Sequence, residues 1–171
     1  MGQLLGKASI RDEVKPFSNL PISAVQRIRV VCEEVTESSF AISSEELRQI
    51  LHISLHEYSR LSESGINECS DEIFALFTSP DTTTSPSDST LIDSFQFLST
   101  LCLISGMQLD EKVQFIFNLF DFSETSKLSI NEATLCVRSI VSGASKVSTT
   151  TNHYTTSANV EVLDKLATPH V

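Results

Sequence analysis

Basic residues, paired cysteines and long apolar runs are all scarce in this chain of 171 residues. It carries 12 Lys and Arg against 22 Asp and Glu, a net charge of −10, which argues against a nucleic-acid reader because phosphate backbones require a basic surface. The four cysteines form no CxxC pair, so neither a zinc site nor a disulfide framework is predicted. No apolar run approaches the roughly 18 residues of a transmembrane helix. These absences predict a cytoplasmic protein with reduced thiols.

Proline is also scarce, and its five positions fall outside every predicted helix. Between them, apolar residues recur at steps of three and four, which is the period of one face of an α-helix. Examples are Val25, Ile28, Val31, Cys32 and Val35, followed by Leu47, Ile50, Leu51 and Leu55. The sequence therefore predicts an all-α fold in which helix–loop–helix units repeat.

The same pattern divides the chain into four parts. Residues 1–19 are predicted to be a flexible N-terminal segment, and residues 20–104 a pair of helix–loop–helix units interrupted by a mobile insertion over 78–90, which is rich in Ser, Thr and Pro. A third unit is predicted over 108–143, with Asp110 as N-cap and Gly143 as C-cap residue. Residues 144–171 are expected to be a mostly disordered tail with a possible short helix.

The loop of the third unit begins with Asp121 and ends with Glu132, the spacing of the acidic residues that open and close a twelve-residue calcium loop. Calcium binds six to eight hard oxygen atoms, which such a loop supplies from alternate positions. The predicted ligands are Asp121, Ser123, Thr125, the carbonyl of Lys127, Ser129 and a bidentate Glu132. Apolar residues flank the loop, with Val113, Ile116, Phe117 and Phe120 before it and Ala133, Cys136, Val137 and Ile140 after it.

With this loop the chain resembles the EF-hand superfamily, and residues 74–141 are similar to the calcineurin-B, recoverin and calaxin group of calcium sensors. Ile92–Phe97 resembles the exit from that group's second loop, and Leu109–Lys112 the segment that leads into its third hand. The resemblance implies two lobes of paired hands, regulation by Ca²⁺ and no enzymatic activity. No nucleophile motif or phosphate-binding glycine loop points to an enzyme either.

Several departures from the EF-hand pattern weaken the predicted site. Ser126 stands where glycine normally adopts a left-handed turn, and Ser123 and Thr125 replace carboxylates. Calcium is therefore expected to bind weakly at one site, with a dissociation constant on the order of 10⁻⁴ M or poorer. The first loop is one residue short, and the second ends in Gln96 instead of Glu, so neither is expected to bind an ion.

Partner binding is predicted through an apolar groove that accepts an amphipathic, basic helix of a target protein. The groove residues are Phe74, Phe77, Phe95, Phe97, Leu98, Leu101, Phe117 and Phe120. Hands of the resembling group pair through their loops, so the third hand lacks an intrachain partner at Leu128–Ile130, and a homodimer through this hand is a second expectation. A calcium-independent scaffold with no functional metal site remains the alternative.

Two further motifs are weighed against simpler interpretations. Gly2 lies in a sequence that approaches the N-myristoylation pattern; one acyl chain would give at most reversible membrane attachment, and an unmodified tail is the alternative. His52 and His56 lie one helical turn apart, but without a third ligand a solvated helix face is favoured over a metal site.

Overall fold

The computed structural model describes residues 10–37, 39–56, 58, 62–78 and 91–149. A short 3-10 helix, Asp12–Phe17, precedes six α-helices and two short strands. In chain order these are α1 (Ile22–Val35), β1 (Ala41–Ile42), α2 (Ser44–Leu55), α3 (Glu63–Thr78), β2 (Ile92–Asp93), α4 (Ser94–Ile104), α5 (Leu109–Phe120) and α6 (Ile130–Val147). The predicted all-α class is confirmed, because helices dominate and the sheet has two strands of two residues each.

The helices that follow the three loops begin with the same kind of N-cap hydrogen bond. A side chain at the N-cap accepts a hydrogen bond from the backbone N–H three residues later, which satisfies one of the free donors of the first turn. The pairs are Ser43 with Glu46 in α2, Asp93 with Gln96 in α4 and Ser129 with Glu132 in α6. In α2 and α6 the glutamate also accepts from the N-cap N–H, which completes a capping box.

The first two loops are joined by the strands. Strand β1 pairs with β2 antiparallel, with Ile42 opposite Ile92, and both isoleucines are buried. The N–H of Ser94 extends the contact by donating to the carbonyl of Phe40 at 3.0 Å. The third loop, which the structure describes in full, forms no strand.

The buried side chains form one cluster that runs from Val14 to Val147. Helix α4 lies at its centre, because it packs against α1, α5 and α6. Residues Ile10–Ser148 form a single compact unit, so the two predicted lobes are not confirmed. No helix among the described residues has the length and hydropathy needed to cross a bilayer.

Several predicted boundaries require correction. Part of the segment predicted to be flexible is helical, since Val14 and Phe17 are buried in the core. Helix α6 continues past Gly143 to Val147, because Gly143 is buried inside it against α4. Helix α5 starts one residue before Asp110, with Gln108 as N-cap. Thr78 ends α3, whereas residues 79–90 of the predicted insertion and residues 150–171 of the predicted tail lie outside the described residues.

Candidate functional site in the third loop

Asp121, the first residue after α5, organises the third loop. One of its carboxylate oxygens accepts from the N–H of Thr125 at 3.1 Å, and the other accepts from the N–H of Ser126 at 2.9 Å. The Ser123 hydroxyl lies 3.5 Å from the first oxygen. The carboxylate therefore draws the first half of the loop into a tight curve around itself.

A ladder of oxygen atoms continues from Asp121 around the loop. The hydroxyl oxygens of Ser123 and Thr125 are 3.2 Å apart, and the Thr125 hydroxyl donates to the carbonyl of Lys127 at 3.1 Å. The structure thus links four predicted ligands into one chain of hydrogen-bonded oxygen atoms.

Glu132 closes the loop from the first turn of α6. Its carboxylate accepts from the N–H of Ser129 at 2.7 Å and from the N–H of Phe122 at 3.1 Å. Hydrogen bonds from Ser129 are the main cause of the lowered pKa of Glu132, and those from the Phe122 and Ser123 N–H groups add to it. The side chain is therefore anionic at neutral pH, although the residue is largely buried.

Ser129 does not offer a free hydroxyl to the loop interior. Its oxygen caps α6 by accepting from the N–H of Glu132 at 3.3 Å. A contact between Ser129 and an ion would therefore have to share or replace this cap. The structure places Ser129 at the loop end as predicted, and its side chain serves as the N-cap of α6.

The backbone of the loop passes twice through the left-handed region. Glu124 has φ of 52° and Ser126 has φ of 59°, and for residues other than glycine this conformation costs about 1–2 kcal/mol. The strain is retained because the Asp121 carboxylate holds the N–H of Ser126. The loop thus adopts the left-handed turn predicted at Ser126, although glycine would adopt it without this conformational cost.

The donor set of the third loop fits calcium in kind, although its charge is low. Two carboxylates, two hydroxyls and a backbone carbonyl are hard oxygen ligands, which suit calcium and are poor ligands for softer metals. Nowhere in the described residues do three or more His, Cys, Asp or Glu side chains come together as a metal cluster. Binding would thus depend on Asp121 and Glu132 for charge, which is consistent with a weak site.

The first loop closes on itself in a different way. The Thr36 hydroxyl donates to the carbonyl of Cys32 at 2.8 Å and also contacts the carbonyl of Ser39 at 3.2 Å. Glu46 accepts from the N–H of Ser43 at 2.7 Å, and hydrogen bonds from Ser43 lower its pKa. This loop has a glutamate equivalent to Glu132 but no counterpart of Asp121.

The residues predicted to line a groove do not form an open groove. Five of them are buried in the core, namely Phe77, Phe97, Leu98, Leu101 and Phe120. Phe74, Phe95 and Phe117 are half-buried. The physical reason is that α6 covers α4 and that the rings of Phe77 and Phe97 pack edge to face at 5.8 Å. The predicted groove is therefore filled in this conformation.

Several apolar side chains of α5 and α6 are exposed, which the sequence analysis did not predict. Residues that recur at helical spacing along these two helices are largely exposed, namely Leu109, Val113, Ile130, Val137 and Val141. The sequence analysis placed Val113 and Val137 on the apolar helix faces that flank the third loop. The apolar residues of α5 cover a wide arc of the helix opposite its polar face, so periodicity alone could not identify which part of that arc is buried.

The remaining predicted sites receive little support from geometry. His52 lies 4.0 Å from Glu63 across the α2–α3 contact, and His56 is the first residue after α2. Gly2 lies outside the described residues.

Comparison with known proteins adds no assignment to this geometry. No protein-family model matches the chain, and no significant similarity was found to a curated protein or to a solved structure.

Proposed function

We propose that this protein is an EF-hand calcium-binding regulatory protein with one weak site in the third loop. The observation that carries the proposal is the ladder of oxygens from Asp121 through Ser123 and Thr125 to the carbonyl of Lys127. Glu132 returns to the same loop at its twelfth position, held by the N–H of Phe122. The antiparallel pairing of β1 with β2 supports the proposal, because the resembling group joins its loops in this way.

The proposed partner is an amphipathic helix with basic residues. The exposed apolar side chains of α5 and α6 give such a helix apolar surface to cover. The net charge of −10 favours a basic partner. A homodimer through Leu128–Ile130, cytoplasmic location and acylation of Gly2 remain secondary proposals.

A calcium-independent scaffold is the second candidate, and one observation favours it. Hydroxyl groups and backbone N–H groups already satisfy the oxygens of the third loop through hydrogen bonds within the loop. Such a loop is stable without an ion, so the helix pairs could act as an adaptor that never binds calcium.

A calcium titration of the full chain, observed through backbone amide signals, separates the two candidates. We expect saturable shifts at Ser126 and Ile130 with a dissociation constant on the order of 10⁻⁴ M. Glu132→Gln should abolish them, because it removes one of the two ligand charges. Glu46→Gln is the matched control, since it changes the equivalent glutamate of the first loop and should leave calcium binding intact. Unmoved signals at millimolar calcium would leave the scaffold as the function.

A further inference from the structure

We infer that the third loop is coupled to the pairing of β1 with β2 through a cluster of phenylalanine rings, so that a change at Glu132 alters the contact between the first two loops. The inference deepens the proposed function, and its link to calcium rests on that function. The phenylalanine cluster consists of Phe40, Phe95, Phe120 and Phe122. These residues come from separate parts of the chain and meet only in the folded protein.

The ring of Phe95 lies at the centre of the phenylalanine cluster. Its centroid is 5.2 Å from that of Phe40, 5.2 Å from that of Phe122 and 5.4 Å from that of Phe120. Aromatic rings attract one another at centroid distances of about 4.5–7 Å, so each of these contacts is favourable. Phe95, the second residue of α4, thus joins the residue before β1 to the end of α5 and to the third loop.

Phe122 links the phenylalanine cluster to the third loop. Its N–H donates to the Glu132 carboxylate at 3.1 Å, whereas its ring packs edge-on against Phe95 at an interplanar angle of 67°. The ring moves with its own backbone, because a staggered rotamer fixes the direction of a side chain relative to the main chain. A change in the position or charge of the Glu132 side chain therefore alters both the hydrogen bond that holds the Phe122 backbone and the ring contact with Phe95.

Phe40 makes the corresponding two contacts at the sheet. Its ring packs on Phe95 at an interplanar angle of 31°, and its carbonyl accepts from the N–H of Ser94 at 3.0 Å. Ser94 directly follows β2 and directly precedes Phe95, so this hydrogen bond extends the pairing of β1 with β2 by one residue. A displaced Phe95 ring therefore acts on the residues at both ends of this hydrogen bond.

A second route from the third loop to Ser94 runs through helix packing. Glu132 lies in the first turn of α6, and α6 packs against α4, where Gln96 donates to the hydroxyl of Ser142. The phenylalanine cluster is the more direct route, because its residues bond to Glu132 at one end and to Ser94 at the other. Ser142, in contrast, lies in the second half of α6.

The coupling is tested by hydrogen exchange of the Ser94 amide in the isotopically labelled full chain, followed by nuclear magnetic resonance. Glu132→Gln should change the exchange rate of this amide at least threefold, because a neutral acceptor holds the N–H of Phe122 less strongly than a carboxylate does. Glu111→Gln is the matched control, since Glu111 is the capping-box glutamate of α5 and accepts from the N–H of Gln108. It should leave the exchange rate of Ser94 unchanged.

Double-mutant cycles assign the effect to the rings. In a Phe95→Leu or a Phe122→Leu background, which keeps an apolar side chain but removes the ring, Glu132→Gln should no longer change the exchange rate of Ser94. Phe122 is 50% exposed, so its variant remains informative if Phe95→Leu does not fold. Phe117→Leu, on α5 outside the phenylalanine cluster, is the control background and should retain the full effect of Glu132→Gln.

Ser142→Ala tests the route through helix packing, since it removes the hydrogen bond with Gln96, and it should also retain the effect of Glu132→Gln. An unchanged exchange rate of Ser94 in Glu132→Gln would overturn the coupling. So would an effect that persists in either ring variant that folds, or one that disappears with Ser142→Ala or Phe117→Leu. These measurements need no calcium, so they judge the coupling even if the third loop proves unable to bind the ion.

Added calcium separates the coupling from the proposed function. If both are right, calcium should move the signal of Ser126 and also change the exchange rate of Ser94. If calcium moves the signal of Ser126 but neither calcium nor Glu132→Gln changes the exchange rate of Ser94, the coupling is wrong and the proposed function stands. If calcium moves no signal of the loop while Glu132→Gln changes the exchange rate of Ser94 and the ring variants suppress this change, the proposed function fails and the coupling stands.

Discussion

At the scale of single residues, the third loop depends on left-handed backbone conformations, which are unfavourable for residues that carry a Cβ atom. Ser126 has φ of 59°, and its N–H is held by the Asp121 carboxylate. The need for a left-handed residue at this position followed from the loop spacing. The hydrogen bond that enforces it on a serine is visible only in the folded loop.

Replacing Ser126 by glycine should stabilise the protein. Glycine adopts positive φ without the penalty of a Cβ atom, so we expect Ser126→Gly to raise the free energy of unfolding by up to about 1 kcal/mol. Urea denaturation measures the change. Ser123→Gly is the control, since φ of Ser123 is not in the left-handed region, and it should destabilise by loss of the hydroxyl contacts. Destabilisation by Ser126→Gly would show that the serine side chain contributes more than the strain costs.

Two of the capping-box glutamates, Glu46 and Glu132, should make stability depend on acid pH. Hydrogen bonds from Ser43 and Ser129 lower the pKa of Glu46 and Glu132, respectively. Their ionised forms therefore stabilise the fold at pH values above the ordinary glutamate pKa of about 4.3. That stabilisation is lost as the pH falls through the lower pKa values of the folded state.

The double variant Glu46→Gln, Glu132→Gln should thus be less stable than the wild type at pH 7, and the difference should shrink between about pH 5 and pH 3. Urea midpoints across this range measure it. Glu68→Gln, at an exposed position of α3, is the control and should give a much smaller dependence. A constant difference from pH 7 to pH 3 would mean that the stabilisation does not depend on the ionisation of the two carboxylates.

At the scale of elements, the packing of α6 on α4 decides the arrangement of the third unit. Gly143 lies at the closest approach, where an added Cβ atom would overlap the hydroxyl of Thr100 and lie 3.0 Å from the carbonyl oxygen of Gln96. The Gln96 side chain also donates to the hydroxyl of Ser142. Gln96, which breaks the calcium-loop pattern of the second unit, thus serves as a helix-packing residue.

Gly143→Ala should therefore destabilise the protein, although alanine favours helix. Overpacking costs about 1–3 kcal/mol, and the helix propensity of alanine returns about 1 kcal/mol, so we expect a net loss of up to about 2 kcal/mol. Thermal or urea unfolding measures it. In a Thr100→Ala background the hydroxyl is absent, and Gly143→Ala should be neutral or stabilising. Equal losses in both backgrounds would place the conflict at the Gln96 carbonyl instead.

At the scale of the whole molecule, one core connects the first and third units. Helix α4 packs against both α1 and α6, and Cys32 of α1 and Cys136 of α6 are buried in the same cluster. Burial raises the pKa of Cys32 to about 11 and also raises the pKa of Cys136. Both thiols are therefore protected from alkylation in the folded state, since the thiolate is the reactive form.

Pulsed alkylation along a urea gradient, read by mass spectrometry, should show Cys32 and Cys136 becoming reactive at the same midpoint. A shared core unfolds in a single cooperative transition. Far-ultraviolet circular dichroism provides the control for the global transition and should give that midpoint as well. Exposure of Cys136 at clearly lower urea would indicate that α5 and α6 unfold as a separate lobe, as the sequence analysis predicted.

The sequence by itself determined the helices and the candidate loop. Helix α2 and its buried residues Leu47, Ile50 and Leu51 follow from apolar residues that recur at helical spacing, with polar residues between them. The loop from Asp121 to Glu132 follows from the spacing of its polar residues, which form hydrogen bonds within the loop. Such features depend on interactions between residues that are close in sequence. They can therefore be predicted from periodicity and spacing.

Only the tertiary structure decided which apolar faces are covered. On α5 the buried residues are Phe115, Leu119 and Phe120, while Val113 is largely exposed, because the packing on α4 covers only part of the wide apolar arc of this helix. The same packing buries the predicted groove residues and brings Phe40, Phe95 and Phe122 together from three separate segments. Contacts between residues that are distant in sequence produce no periodic pattern in the sequence. They can therefore be identified only in the folded structure.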